Sequence, residues 1–247
     1  MNAARPIPNV LSIAGVDPSG GAGILADVKA ISANGAYACA VVAALTAQNT
    51  VGVDGIFPVP PDFVRAQIDT LCSDVRVDAA KIGMVGQAPV IVAVAERLAH
   101  WQPPHVVLDP VMIAKSGHGL LERAAVGALA ESLLPLATVI TPNLPEAGVL
   151  LEMRAPDNAK EMVRCAERLR EKMAHAGERW VYLKGGHLPG GAESTNIGAA
   201  SPREHAGQPE PRVQDRRGGL SRRPGAAGAA GAAPPRRIRP ATLRLPP

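Results

Sequence analysis

Residues 11–25 read LSIAGVDPSGGAGIL, and this segment constrains the local fold more strongly than any other segment of the chain does. An apolar run of strand length breaks at Gly15, a glycine-rich loop follows, and a helical pattern begins at Ile24. A strand, a glycine loop and a helix in this order place backbone N–H groups at a helix N-terminus, which favours binding of an anion or a polar ligand. The alternative is an ordinary turn in which the glycines serve only steric needs.

Two common phosphate-binding motifs find no support in the sequence. Residues 21–26 match the dinucleotide pattern G-x-G-x-x-A, which also needs an acidic residue roughly 20 residues later for the ribose hydroxyls. The segment 46–50 reads TAQNT and has no carboxylate, so a nicotinamide site is disfavoured. A P-loop needs G-x-x-x-x-G-K-[ST], and no lysine follows a glycine in that way. If the chain handles ATP, it does so by another route.

Strand and helix patterns alternate along most of the chain. The strands are expected as short apolar runs bounded by turn residues, and the helices as segments with apolar residues at helical spacing. This alternation predicts an α/β fold with a mostly parallel central sheet and helices on both of its faces. The predicted strands are 10–14, 37–45, 78–84, 105–108, 138–140 and 180–183, and the predicted helices are 24–34, 60–71, 89–101, 120–134, 145–151 and 158–175.

Polar residues follow the ends of several predicted strands. In parallel sheets of this kind, ligands bind beyond the carboxyl ends of the strands. Each of these residues alone is as well explained as an ordinary loop residue, but their repetition at successive strand ends favours a site. The residues are Asp17, Gln48, Asp109, Asn143, Glu146 and Lys184.

The composition argues against several classes of protein. The three cysteines are scattered with no C-x-x-C pair, which is typical of a reduced, cytoplasmic protein. No apolar run reaches the ~20 residues of a membrane span, and the N-terminal residues lack the apolar core of a signal peptide. Residues 188–247 have ten arginines against four acidic residues, so residues 1–187 carry a net charge of −2 within the total of +4. No basic face is evident in that body, so neither nucleic acid nor a membrane is an expected partner.

Six segments together resemble the hydroxymethylpyrimidine/phosphomethylpyrimidine kinases of thiamine biosynthesis, which belong to the ribokinase superfamily. They occur in the family's order between Leu11 and His187 and read IAGVDPSGGAGILADVK, ALTAQNTVGV, SDVRVDAAKIGM, VVLDPVMIAKSG, VITPNLPEA and LKGGH. The resemblance implies a three-layer α/β/α, ribokinase-like fold. It also implies phosphorylation of 4-amino-5-hydroxymethyl-2-methylpyrimidine with Mg-ATP, followed by a second turnover that converts the monophosphate to the diphosphate. A homodimer is a further implication, and a pyridoxal or sugar kinase of the same fold is the alternative.

The resemblance places the pyrimidine near the ends of the first strands. The corresponding residues of this chain are Gly15, Asp27, Gln48, Met84 and Val111. Gln48 is the residue of most interest, because an amide offers both a donor and an acceptor and can pair with the ring nitrogen and exocyclic amine of an aminopyrimidine. The alternative for Gln48 is that its side chain caps the backbone.

The resemblance assigns binding of ATP and its phosphates to Asp109, Asn143, Glu146 and Lys184. Asn143 and Glu146 form the N-x-x-E pair of the TPNLPEA segment, which helps to order magnesium and phosphates in the family. The resemblance therefore implies that Glu146 helps to hold magnesium indirectly, and its oxygen atoms suit a hard cation. Lys184 is a possible catalytic residue, because its ammonium group can stabilise charge that develops on the transferred phosphoryl group.

The resemblance ends near residue 188. The family continues with a β-hairpin and an NTHGTGC-like segment, whose glycine turn forms the anion hole and whose acid or thiol activates the attacking hydroxyl. This chain has no such segment, and from about Gly190 it has no amphipathic period, no lysine and no aromatic residue. We therefore predict an incomplete kinase domain over 1–187 and a disordered Arg/Pro/Gly/Ala-rich tail over 188–247.

Three origins of this tail are open: a native disordered extension, an arginine-rich nucleic-acid arm, and a shift of reading frame near codons 188–195. The frame shift is the preferred hypothesis, because the family pattern is lost abruptly and out-of-frame GC-rich codons encode this composition. Without the anion hole the main catalytic residue is unknown, and we expect phosphoryl transfer to be impaired. The alternative function is a non-catalytic protein that retains the pyrimidine pocket.

Overall fold

A computed structural model describes residues 6–112, 123–174, 177–186, 196–200 and 212–214. The strands are β1 (Asn9–Val16), β2 (Tyr37–Gln48), β3 (Val53–Pro58), β4 (Ala79–Ile82), β5 (Val106–Leu108), β6 (Val139–Ile140), β7 (Trp180–Lys184), β8 (Asn196–Ala200) and β9 (Arg212–Gln214). The helices are α1 (Gly23–Ala33), α2 (Pro61–Cys72), α3 (Ala88–Trp101), α4 (Arg123–Ala128), α5 (Leu144–Leu150) and α6 (Ala159–Lys172).

Within the described residues, nine strands form one sheet in the order β3-β2-β1-β4-β5-β6-β7-β8-β9. The strands from β2 to β7 in this order are parallel, and β3, β8 and β9 pair antiparallel at the two sides of the sheet. Helices connect the successive parallel strands, as parallel pairing requires. The predicted α/β fold class is confirmed.

The central strands carry near-continuous apolar runs because they are covered on both faces. Leu11 and Ile13 of β1, Ile82 of β4 and Ile140 of β6 each expose at most 1% of their surface. Val94 of α3 is also fully buried and joins them in one core. Each such side chain contributes about 1.5–3 kcal/mol by leaving water. This packing fixes the ends of the strands, where the polar loops begin.

β3 lies in a segment where no element is predicted. Its residues read VDGIFP, and the glycine and proline weaken the strand signal. The antiparallel partner overrides this local weakness: Phe57 lies opposite Leu45 of β2, and the two strands form a hairpin. The hairpin extends the sheet on the side of β2.

The helix predicted over 120–134 is divided in the structure. Of this segment, α4 covers Arg123–Ala128, a wider helical turn covers Leu129–Leu133, and a tight turn follows at Leu134–Leu136. Pro135 lies in this last turn and helps to end the helical segment, because proline has no N–H to donate within a helix.

The sheet continues beyond the predicted domain boundary at residue 187. β8 pairs with β7 so that Ile197 lies opposite Leu183, and β9 pairs with β8. Ile197 is 2% exposed and belongs to the core. Over 196–200 and 212–214 the structure therefore differs from the expected disorder, because pairing with β7 satisfies the backbone and buries Ile197. The other residues of the predicted tail lie outside the described part of the chain.

The loop between β1 and α1 turns on Gly23. Its φ angle is +55°, and it forms an isolated antiparallel bridge with Val16. A Cβ atom at this position would overlap the carbonyl oxygen of Gly15. Only glycine tolerates both the left-handed conformation and this close approach of two backbone segments.

Replacing Gly23 by alanine is expected to lower the free energy of unfolding by about 2–4 kcal/mol, because overlap with the backbone adds to the left-handed strain. The matched control is Gly35→Ala, at φ +80° with no atom within 4 Å of the added Cβ. The control is expected to lose about 1–2 kcal/mol from the left-handed strain alone. Urea unfolding followed by circular dichroism measures both values. Equal losses would contradict the predicted overlap.

Candidate active site

A cavity of about 620 Å³ opens at the carboxyl ends of β1, β2, β4 and β5. The β1–α1 loop and the tip of the β2–β3 hairpin form its sides, and the residues after β4 and β5 complete it. Another cavity, of about 610 Å³, lies near the amino ends of β4 and β5, and none of the predicted site residues lines it. The candidate site is therefore the cavity at the carboxyl ends, within the size range of small-molecule sites.

The structure brings together the residues predicted to bind the pyrimidine. They come from separate segments of the chain, and they meet because parallel strands end at the same edge of the sheet. Asp109, predicted to bind phosphates, lines the cavity as well. The functional role of each residue stays a prediction. The pyrimidine residues that line the cavity are Gly15, Asp27, Gln48, Met84 and Val111.

Asp17 shapes the loop between β1 and α1. It is 4% exposed, and its carboxylate accepts hydrogen bonds from the backbone N–H groups of Ser19 at 2.9 Å and Gly21 at 3.1 Å, and from the Ser19 hydroxyl at 2.8 Å. Burial opposes ionisation of Asp17, but the hydrogen bonds from Ser19, Gly21 and Ala22 outweigh it and lower its pKa. The charged carboxylate of Asp17 therefore stabilises the conformation of its own loop.

Ser12, Asp27 and Lys81 form a polar network at the floor of the cavity. Ser12 of β1 and Lys81 of β4 are partners in the parallel register, so their side chains lie on the same face of the sheet. Asp27 of α1 accepts a hydrogen bond from the Ser12 hydroxyl at 2.6 Å and two from the Lys81 ammonium at 2.8 and 3.0 Å. Ser12 and Lys81 are absent from the predicted site. A single charged residue within the otherwise apolar strand segment AAKIG is the signal that could have identified Lys81.

Gln48 ends β2 beside Thr46. The Thr46 hydroxyl lies 2.7 Å from the carbonyl oxygen of Val16 and 3.3 Å from Oε1 of Gln48. A hydroxyl group has one proton, and the shorter bond to Val16 takes it. Within the described residues the amide of Gln48 is therefore available to a ligand. These contacts do not support the alternative of a backbone cap.

Asp109, Thr141 and Lys184 form a second polar cluster where β5, β6 and β7 end. Oδ1 of Asp109 accepts hydrogen bonds from the Thr141 hydroxyl at 2.9 Å and the Lys184 ammonium at 3.0 Å. The backbone N–H of Lys184 donates to the carbonyl of Pro142 at 2.8 Å, which fixes the end of β7. The Lys184 side chain is 39% exposed, so its ammonium is partly open to an incoming anion.

Asn143 and Glu146 form a capping box at the start of α5. The Asn143 side chain accepts a hydrogen bond from the Glu146 N–H, and the Glu146 carboxylate accepts one from the Asn143 N–H, both at 2.8 Å. This arrangement satisfies two backbone donors at the helix N-terminus. Burial raises the pKa of Glu146, although the bond from Asn143 and the charge of Lys184 oppose the change. The pair therefore has a structural role besides any role in binding phosphate.

The donor set near Lys184 fits a magnesium ion held together with a nucleotide. In the described part of the chain, no group of three His, Cys, Asp or Glu side chains could hold a metal ion by itself. Asp109 and Glu146 each supply a carboxylate, and they are close enough for the charge of Asp109 to raise the pKa of Glu146. Magnesium is usually bound by one or two carboxylates, with phosphate oxygens and water as the other ligands.

Comparison with known proteins identifies the family. The sequence profile described as phosphomethylpyrimidine kinase matches residues 17–231. The chain belongs to the phosphomethylpyrimidine kinase family. The family predicted from the sequence is thus confirmed. Among the described helices, none has both the length and the apolar character needed to cross a membrane.

Individual relatives agree with this assignment. The hydroxymethylpyrimidine/phosphomethylpyrimidine kinase of Escherichia coli is 52% identical over 180 residues, which are 73% of this chain and 66% of the relative. The crystal structure of a Clostridium difficile phosphomethylpyrimidine kinase is 39% identical, with a TM-score of 0.71 over 78% of this chain and 83% of that one. A Staphylococcus aureus pyridoxal kinase in complex with AMP-PCP and pyridoxal is 31% identical, with a TM-score of 0.68 over 78% of this chain and 68% of that one. This chain thus spans just under two thirds of the length of its Escherichia coli relative.

Replacing Glu146 by Gln is expected to change how stability depends on pH. Because burial raises the pKa of Glu146 above its ordinary value of 4.5, the folded protein holds this proton more tightly than the unfolded chain. The wild-type protein therefore loses stability from this group as pH rises through 4.5 and then through the raised pKa. Gln retains an acceptor oxygen for the Asn143 N–H but carries no charge. The stability of the variant relative to wild type should increase with pH over this window.

Urea unfolding at intervals between pH 4 and pH 7 measures this relative stability. Glu161→Gln, at the matching position of α6, is the control for loss of a charge from a helix start, because Glu161 also follows a capping Asn by three residues. A relative stability of Glu146→Gln that is constant with pH would contradict the prediction.

Proposed function

We propose that this chain binds 4-amino-5-hydroxymethyl-2-methylpyrimidine in the cavity at the carboxyl ends of β1, β2, β4 and β5 and phosphorylates it, and then its monophosphate, with ATP. The observation that carries the proposal is the convergence of the five residues predicted to bind the pyrimidine on one cavity of about 620 Å³. The Escherichia coli relative bears the name of this activity. The proposal places the reaction in thiamine biosynthesis in the cytoplasm. It includes a homodimer, which rests on the family resemblance alone.

The cavity suits a flat aminopyrimidine ring. The backbone N–H of Gly15 donates to the carbonyl of Met84 at 2.9 Å, so these two residues are held side by side. A Cβ on Gly15 would lie 2.7 Å from the Met84 terminal methyl, so glycine leaves room for that flexible side chain against the ring. Gln48 offers the ring an amide donor and acceptor, and Asp27 offers an acceptor.

The cluster at the ends of β5 to β7 suits the phosphates. Lys184 is positioned by Asp109 and is partly exposed, so its ammonium can move from that carboxylate to an incoming phosphoryl group. When bound, Mg²⁺ neutralises charge on the nucleotide phosphates, and we assign its protein ligands to Asp109 and, less directly, Glu146. The Staphylococcus aureus pyridoxal kinase holds AMP-PCP, and ATP in this chain is inferred from that neighbour.

Binding of the pyrimidine is expected to be better preserved than phosphoryl transfer. The residues assigned to the pyrimidine are present, whereas the sequence has no NTHGTGC-like segment to form the family's anion hole. Donors aimed at the transferred group act mainly in the transition state, so their loss lowers the rate of transfer more than the affinity for the substrate.

Purified chain with Mg-ATP is expected to release ADP slowly and only when the pyrimidine is present. Loss of an anion-hole donor lowers kcat by about 10²–10³, from the roughly 1–100 s⁻¹ that is ordinary for kinases. A coupled ADP assay measures the rate of ADP release with and without the pyrimidine. The Lys184→Met variant gives the background rate of a chain that lacks the ammonium group assigned to the phosphates. A rate in the ordinary kinase range would contradict the impairment. Bound pyrimidine with no dependent ADP release would contradict the kinase activity.

Replacing Gln48 by Ala is expected to weaken binding of the pyrimidine by about 10- to 100-fold, because it removes two hydrogen bonds and leaves ring groups unpaired. Isothermal titration calorimetry measures the dissociation constant. Gln87→Ala is the matched control: Gln87 is exposed, makes no side-chain bond to the start of α3, and is not among the residues that line the cavity. Unchanged affinity in Gln48→Ala would show that Gln48 does not read the substrate.

A further inference from the structure

Three polar side chains meet beneath the cavity where the sheet is otherwise apolar. Ser12 is fully buried, and the side chains of Asp27 and Lys81 are 18% and 26% exposed. An ion pair removed from water in this way gains little stability over apolar side chains of the same shape. Stability alone therefore does not account for a lysine and an aspartate at this position.

The hydrogen bonds leave the Asp27 carboxylate with a defined free position. An ionised carboxylate has about four acceptor positions, two on each oxygen. Oδ2 accepts from Ser12 at 2.6 Å and from Lys81 at 2.8 Å, whereas Oδ1 accepts from Lys81 at 3.0 Å. Among the described residues, the remaining acceptor position is therefore on Oδ1. Asp27 and Lys81 both line the cavity.

Lys81 is held in place by its surroundings. Its backbone is fixed in β4 opposite Ser12, and a Cβ on Gly83 would lie 2.8 Å from the Lys81 ammonium. The glycine of the sequence KIG thus leaves room for the ammonium group. Because Lys81 donates to both oxygens of Asp27 and has no acceptor, it opposes rotation of the carboxylate.

We infer that Lys81 is a positioning residue that directs the remaining acceptor position of Asp27 into the cavity. The pair thereby selects a ring that bears an N–H donor over a ring that bears a carbonyl oxygen at the same place. An amine forms a charge-assisted hydrogen bond with this carboxylate. A carbonyl oxygen would face another acceptor and lose its bond to water without replacement. The inference rests on the proposed function and names the chemical feature by which that site chooses its substrate.

The test compares binding of 4-amino-5-hydroxymethyl-2-methylpyrimidine with that of its 4-oxo analogue by isothermal titration calorimetry. The wild-type chain is expected to prefer the amino compound by about 10-fold or more, the effect of one charge-assisted bond. Lys81→Met, which keeps the length of the side chain and removes its donors, should lose the part of this preference that Asp27 supplies, whereas any pairing of Gln48 with the same amine is unaffected. Lys81→Arg should restore most of it, because a guanidinium also donates to both carboxylate oxygens. Lys160→Met, at an exposed position of α6, is the control and should behave as wild type.

A second variant tests the same carboxylate should Lys81→Met fail to fold. Asp27→Asn retains the shape of the side chain, and Ser12 and Lys81 would hold its oxygen at the Oδ2 position, where both now donate. Its NH₂ group would then take the Oδ1 position toward the cavity, where the bond from Lys81 is lost, and the preference should shift toward the oxo compound. A selectivity that is lost or reversed in these variants supports the inference, because a purely structural role for Lys81 would change stability and leave the ratio of the two affinities unaltered.

The outcomes separate this inference from the proposed function. If the wild type binds the amino compound and Lys81→Met or Asp27→Asn retains the wild-type preference, the inference is overturned and the proposed function stands. If the wild type binds both compounds with equal affinity, the inferred preference for an N–H donor is wrong. If the wild type binds neither compound, the proposed function is wrong, and the inference that rests on it falls as well.

Discussion

Parallel pairing of β1 with β2 and β4 is the interaction on which the candidate site depends. It brings Gly15, Gln48 and Met84 to one edge of the sheet, although they end or follow three different strands. The register of these strands is strongly specified because both faces are packed, and a slip of one residue would move every side chain to the opposite face, against different neighbours. The hydrophobic core thus determines where polar groups meet, and the loops add the groups that contact a ligand.

The polar network at the floor of the cavity and the cluster at the ends of β5 to β7, here called the far end of the site, hold their charged groups in different ways. At the floor, Lys81 and Asp27 are largely buried and hold each other in one geometry. At the far end, the Lys184 ammonium contacts Asp109 at 3.0 Å but is more exposed, so water and ions compete for this contact. A fixed pair is suited to reading the shape and donors of a ring, whereas a looser pair can exchange its partner for a phosphate.

Polar residues at the ends of the strands divide into groups with different structural duties. Asp17 accepts hydrogen bonds from its own loop, and Asn143 and Glu146 cap α5. Each of these residues preserves the backbone that surrounds the site and satisfies donors that would otherwise be unpaired. Such residues satisfy the same sequence pattern as ligand-binding ones, which is why a strand-end position by itself does not distinguish the two.

The resemblance to the kinase family supplied the pyrimidine-site residues, which line one cavity. Local patterns in the sequence determined the order of most strands and helices and the glycine loop after β1. These features depend on side-chain periodicity and on turn residues within a few positions. Only the tertiary structure decided that Ser12 and Lys81 stand side by side under Asp27, and that β3 and β8 extend the sheet. Lys81 lies 54 residues from Asp27 in the sequence. Contacts across that separation are set by strand register and helix packing, which no local pattern contains.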